Sequence, residues 1–268
     1  MHRHHLIASC LSAFCLSLVA WPLAAQWPAF VPKQTPRGAD GKPNLTAAAP
    51  KTAWGTPDLS GVWEQYSEFD MPKYLINIAA DLKPDELGMK PEATTLMRQR
   101  AARFSADHPG LRCLPSGVPE KDAVPAPMKV VQTPDLIVLL YESRVIFRQV
   151  FLDGRPAPGP DAEPQYQGYS SGRWEGDTLV INTRGFREQG WLDMAGHPSS
   201  EQLHVTERFR RPNFGSLELD ITVEDPKYYT KPWNVKQRFH LRPDDELLEH
   251  ICEENNRDVE HVLTPPAR

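Results

Sequence analysis

Three consecutive stretches in the C-terminal half alternate apolar and polar residues with period two, as β-strands with one buried face do. In residues 203–209, Leu203, Val205, Glu207 and Phe209 share one face, and His204, Thr206 and Arg208 the other. In 217–223, Leu217, Leu219, Ile221 and Val223 oppose Glu218, Asp220 and Thr222. In 233–241, Trp233, Val235, Phe239 and Leu241 oppose Asn234, Lys236, Arg238 and His240, with Gln237 alone among the apolar set. Period two cannot bury one face of a helix, so this half is committed to a sheet. Glu207 and Gln237 are its polar intruders. An unpartnered buried carboxylate is costly, so Glu207 must be paired or functional.

More strands precede these. Residues 128–133, 136–144 and 145–153 are rich in Val, Ile, Leu and Phe, and 169–174 and 178–186 flank Glu175, Gly176 and Asp177, a hairpin signal. Residues 58–64 lead into a first short strand, and 246–253 is expected to close the set. Eight or nine short antiparallel strands predict a closed barrel or a sandwich. Helical crossovers are missing from this half, which argues against a parallel α/β sheet. Residues 91–107 read as one inserted helix: Pro91 suits a first turn, Glu92, Ala93, Arg98, Gln99 and Ala101 are strong formers, and Gly110 lies just beyond.

The chain start reads as a secretory signal over residues 1–25. His2, Arg3, His4 and His5 precede an apolar run, and Ala24 and Ala25 offer cleavage before Gln26. An uncleaved membrane anchor is the other reading. Residues 26–57, rich in Pro, Ala and Lys, are expected to form an extended strap or linker. Residues 58–268 then make a single β-barrel domain with a helical insertion at about 67–127. No later apolar run could span a membrane, and a net charge of −5 argues against nucleic acid as a partner. The chain is therefore expected to be periplasmic or secreted, free of the membrane once cleaved. Its mature cysteines are Cys113 and Cys252, which an oxidising compartment would join as a disulfide; two buried thiols are the alternative.

Gly61, Val62 and Trp63 form a G-x-W at the first strand of this series, which resembles the lipocalin and calycin barrels. That resemblance implies a mainly β fold, an antiparallel lipocalin-like β-barrel with an extended N-terminal strap and one inserted α-helix. It also implies that Trp63 packs across the closed end. The long insertion after Glu64 departs from the lipocalin pattern. A second resemblance covers most of the mature chain. GRWEGDTLV at 172–180, GHP at 196–198, TERFRR at 206–211, DPKYYTKPW at 225–233 and CEEN at 252–255 are similar to segments of a group of exported bacterial proteins of unassigned function. It implies no catalytic residues.

Chemistry has three candidate sources. Glu207 reads either as a buried general acid or base, or as half of a structural ion pair with Arg148 or Arg173. Arg148, on an apolar face with Ile146 and Val150, is that partner or a clamp for an anionic ligand. Asp193 and His197 could form a carboxylate–imidazole dyad for proton transfer, or His197 could simply brace a loop. Tyr169, Trp191 and Gln237, with Glu254 near the rim, complete the candidate substrate-binding set; the clustered Tyr166, Trp174, Tyr228, Tyr229 and Trp233 could equally be core. A metal at His197, Glu201 and His204 is conceivable, but neither metal nor other cofactor is expected. The chain has no G-x-S-x-G, P-loop or G-x-G-x-x-G motif. The expected function is an exported, cofactor-independent acid/base enzyme (lyase, isomerase or hydrolase) acting on a small apolar or aromatic molecule in the barrel. A non-catalytic periplasmic binding protein for a hydrophobic ligand is the alternative.

Overall fold

The computed structural model describes residues 34–66, 73–159, 161–188 and 190–254. The expected signal peptide and the first part of the strap lie outside the described residues. Nine strands close into a barrel: β1 (Gly61–Gln65), β2 (Met128–Gln132), β3 (Leu136–Tyr141), β4 (Ile146–Phe151), β5 (Tyr169–Glu175), β6 (Thr178–Arg184), β9 (His204–Asn213), β10 (Ser216–Glu224) and β11 (Trp233–Leu241). A separate two-stranded ribbon, β7 (Gly190–Trp191) and β8 (Pro198–Ser199), interrupts the path between β6 and β9. The result is mainly β and compatible with the lipocalin-like form, with one strand more than the eight of that barrel.

Neighbours are antiparallel except at one seam, where β4 and β5 run parallel through Val150 with Ser170 and Phe151 with Ser171. Strand direction cannot alternate all the way round an odd-numbered ring, so nine strands require at least one such pair. The connection 152–168 accordingly returns from the end of β4 to the opposite end of the barrel before β5 begins.

This connectivity sorts the two barrel ends. One gathers the turns between β2 and β3, β5 and β6, and β9 and β10, and meets the N-terminal strap. Strap carbonyls of Leu45 and Ala47 accept from the amides of Gly215 and Phe214, each at 2.8 Å. Trp63 is fully buried, donates through Nε1 to Leu59 O at 2.9 Å, and lies under the Arg211 guanidinium, 4.9 Å from the ring centroid. Gly61 sits at φ 139°, where a Cβ would approach Leu241 to 2.6 Å, so the G-x-W glycine is needed for β1 to close against β11.

The insertion between β1 and β2 covers the opposite end. Its described residues carry three α-helices rather than one: α1 (Lys73–Ile76), α2 (Pro84–Leu87) and α3 (Pro91–Ala102). The expected helix over 91–107 stops at Ala102, because Phe104 and Ser105 adopt left-handed φ values of 53° and 55°. Two 3-10 turns follow, and the second, Glu120–Ala123, is buried at every residue. It contacts α1 and forms a plug; its Asp122 lies against residues of the barrel interior. Residues 246–253 are not a strand, which corrects the expectation for the last segment. They run as irregular chain with Leu248 and Ile251 exposed, tied down by the Cys113–Cys252 disulfide.

That bridge spans a sequence separation of 139 residues and joins the insertion to the C-terminal segment. Closing so long a loop restricts the unfolded chain by roughly 2–4 kcal/mol. Cys252→Ser is therefore expected to lower the melting temperature by several degrees. An unchanged melt would show that the bridge adds nothing to the barrel.

Candidate functional site

Glu207 lies on β9 between the inward-facing Val205 and Phe209 and is 0 % exposed. Arg148 reaches it from β4. Its Nη1 donates to Glu207 Oε1 at 2.9 Å and its Nη2 to Oε2, a bidentate fork that suits a buried carboxylate. Nη2 also donates to Thr183 Oγ1 at 2.7 Å and Nε to Ser170 Oγ at 2.9 Å, with the two hydroxyls 3.0 Å apart. The register explains the convergence: Ser170 faces Thr183 across β5 and β6, and Ile181 faces Glu207 across β6 and β9. Of the two expected partners for Glu207, Arg148 is the one that meets it. Arg173 points outward and pairs with Glu175. Burial opposes the Arg148 charge, but the Glu207 carboxylate and its hydrogen bonds outweigh it and hold the guanidinium above its ordinary pKa.

The plug adds a second carboxyl. Asp122 is 1 % exposed, and neither of its oxygens has a hydrogen-bond partner among the described residues. Burial first and the Glu207 charge second push its pKa well above the carboxylate range, and Arg148 and Lys121 only partly offset them. In its protonated form Asp122 can donate a hydrogen bond toward Glu207. Tyr141 stands in the same field. Its buried hydroxyl also lacks a partner among the described residues, and burial, then Asp122, raise its pKa. Lys121 donates to Ser143 O at 2.8 Å and lies 5.1 Å from the Tyr141 ring centroid. Burial, then Arg144, lower its pKa to about 8. Gln237 accepts from Gln65, but its own Nε2, like Trp233 Nε1, has no acceptor among the described residues. Buried polar atoms seldom go unmatched, so this group of interior donors and acids is the feature to explain.

The parallel seam leaves a groove on the outer side of the barrel wall beside the site. Toward the plug, β4 runs on without pairing to β5, and a cavity of about 230 Å³ opens there between Phe147, Gln149, Tyr169 and Gln167. Arg148 and Ser170 form part of its wall, so the buried network borders the outside along this line. Tyr169 stacks on Phe151 with ring centroids 5.3 Å apart. Arg148 and Glu207 thus meet inside the barrel, whereas Tyr169, next in sequence to the inward Ser170, lies half-buried on the outer side against Phe151.

Asp193 and His197 do pair, with Nδ1 donating to Oδ2 at 2.6 Å, but in the loop between β7 and β8. Asp193 also accepts from the amides of Ile78 at 2.9 Å, Gly196 at 3.0 Å and His197 at 3.2 Å. The loop amides of Met194 and Ala195 donate to Leu75 O and Ile76 O, so Asp193 fastens this loop to the insertion. Trp191 lies outside the barrel beneath the Arg100 guanidinium, and Glu254 is exposed. Glu201 pairs with Lys227 and His204 with Glu224, away from His197; among the described residues no group of three His, Cys, Asp or Glu could hold a metal ion.

Asp122, Tyr141 and Lys121 were not on the sequence-derived list. Tyr141 could have been found, since it shares the parity of Ile137 and Leu139. Glu120, Lys121 and Asp122 form a charged run with no period, which reads as solvated surface until the fold buries it. No protein-family model matches the chain, and no curated protein is significantly similar to it.

The two acids should respond oppositely to neutralisation. Glu207→Gln leaves the Arg148 charge buried without its carboxylate, a loss of roughly 3–5 kcal/mol. Asp122→Asn removes a group whose folded pKa is raised. Such a group favours the fold below the unfolded value near ~3.9 and loses that contribution as pH rises through the folded value. Asp122→Asn should therefore melt a few degrees above the parent at pH 7.5 and level with it at pH 3.5. A lower melt at pH 7.5 would mean that Asp122 is ionised and paired in the fold.

Proposed function

We propose that the plug half of the barrel is a proton-transfer site for a small apolar or aromatic carbonyl compound, and that the protein is a cofactor-independent lyase or isomerase. One observation carries this reading: a buried carboxyl whose pKa is raised by burial and by Glu207 stands beside a buried phenol that has no acceptor among the described residues. A neutral carboxylic acid at pH 7 can donate to an oxygen on which negative charge develops, and a phenol can do the same. In this scheme Tyr141 holds the substrate oxygen. Asp122 gives its proton to the substrate and recovers one from another position of the same molecule. Glu207 is a positioning residue whose charge favours the proton on Asp122, and Arg148 holds Glu207 in place through its bidentate fork. Asp193 and His197 take no part, because the carboxylate of Asp193 is committed to the loop.

A binding protein without chemistry is the second reading. It is favoured by the fixed set of partners around Arg148, which already resembles a completed structural network. Export is part of the proposal, supported by the disulfide and by the signal-like start; among the described residues no helix is long and apolar enough to cross a membrane. The GRWEGDTLV, TERFRR and DPKYYTKPW segments support a place in the group of exported bacterial proteins. N-terminal sequencing of exported protein should begin at Gln26 or beside it; an intact start would reject cleavage.

Proton exchange at carbon tests the catalytic reading without a known substrate. Cyclohex-2-enone and 2-tetralone in D₂O should lose their α-protons faster with the protein than in buffer. Asp122→Asn should reduce that acceleration by ~10²–10⁴ while the fold is retained. Saturable binding of either ketone with no acceleration would favour the binding protein instead.

A further inference from the structure

A second concave site lies outside the barrel, against the helical insertion. The C-terminal half of α3, the first 3-10 turn (Pro109–Arg112) and the chain around Tyr166 and Trp191 enclose a cleft of about 780 Å³. That is within the ~300–1,000 Å³ of small-molecule sites. Four guanidiniums line it, from Arg100, Arg103, Arg112 and Arg187. We propose that this cleft binds a small organic anion carrying a ring, of the aryl carboxylate class.

The charge balance points to an anion. Three carboxylates share the cleft, and each already has a cation: Asp107 has Arg103, Glu163 has Arg187 at 3.2 Å, and Glu188 has Lys227 at 2.8 Å. Lys227 stands outside the lining, and Arg103 and Arg187 hold the other two carboxylates, so every carboxylate of the cleft is matched without Arg112. Arg112 has no ion pair among the described residues. Arg100 is 7 % exposed and donates to the carbonyls of Gly190 and Gly196, each at 3.2 Å. Burial lowers its pKa to about 10, so a nearby anion would gain more from this desolvated cation than from a solvated one.

The walls point to a ring. Trp191 is fixed from two sides, by the Arg100 guanidinium 4.1 Å above its centroid and by the His108 ring edge-on at 4.9 Å. The Tyr166 ring lies 4.9 Å from the Arg187 guanidinium, and Leu96, Leu114 and Pro164 add apolar surface. Rigid aromatic walls with forked donors match an anion on a flat apolar body. The cleft also adjoins a narrower cavity of about 70 Å³ that shares Tyr166, Arg187 and Trp191 and reaches Glu120 of the plug. The proposal does not rest on chemistry inside the barrel.

Calorimetric titration of the full chain with benzoate, benzamide and sulfate tests it. Benzoate is expected to bind, benzamide at least about tenfold more weakly, and added salt to weaken benzoate. Arg112→Gln and Arg187→Gln, both at exposed positions, should each reduce benzoate affinity by about tenfold with unchanged melting temperatures. Asp122→Asn should leave it unaltered. Equal binding of benzamide, or no loss in either arginine variant, would overturn the anion assignment, and sulfate binding as tightly as benzoate would overturn the ring. A loss in Asp122→Asn would place the anion in the barrel and reject a separate site. No binding of benzoate or of 2-naphthoate would also overturn the proposal.

Discussion

The ion pair between Arg148 and Glu207 is the constraint around which the plug half of this barrel is arranged. Two charges fully removed from water are tolerated only with near-ideal geometry and with their remaining valences met. The bidentate fork and the hydroxyls of Ser170 and Thr183 supply that. Four strands contribute one residue each, so the pair also pins the relative register of β4, β5, β6 and β9 at the seam where strand pairing is thinnest. Its cost is passed on to its neighbours. Burial and the neighbouring Glu207 charge raise the pKa of Asp122, and burial and Asp122 raise that of Tyr141.

The insertion supplies Asp122 and is itself held by several ties. Asp193 fastens the loop between β7 and β8 to residues 75–78, α1 packs on the plug, and the disulfide anchors the end of the insertion to the C-terminal segment. Asp193, read from the sequence as half of a dyad with His197, thus also ties its loop to the insertion. A carboxylate accepting three backbone amides and an imidazole is an effective staple.

Much of the barrel was legible because half-buried strands leave a local record. Period-two alternation located β9, β10 and β11 and exposed Glu207 and Gln237 as intruders, and an arginine at an inward position of β4 was one of the two partners offered for Glu207. Three things left no such record. The parallel seam follows from the count of strands round the ring, which no single segment displays. Residues 246–253 have contradictory parity, with Leu247 and Ile251 opposing His250 and Cys252, and their position is set by a covalent bond to the insertion. Asp122 sits in an aperiodic charged run, and only tertiary structure buries it against Glu207.

The central claim is that one proton is shared in the barrel interior and resides on Asp122 at neutral pH. Carbon-13 NMR of aspartate-labelled protein reads this directly, with the Asp122 carboxyl signal assigned by its loss in Asp122→Asn. The account predicts a carboxyl shift typical of the protonated acid at pH 7, moving toward the ionised value only at higher pH. An Asp122 signal already ionised at pH 7, titrating near the ordinary carboxylate value, would contradict it.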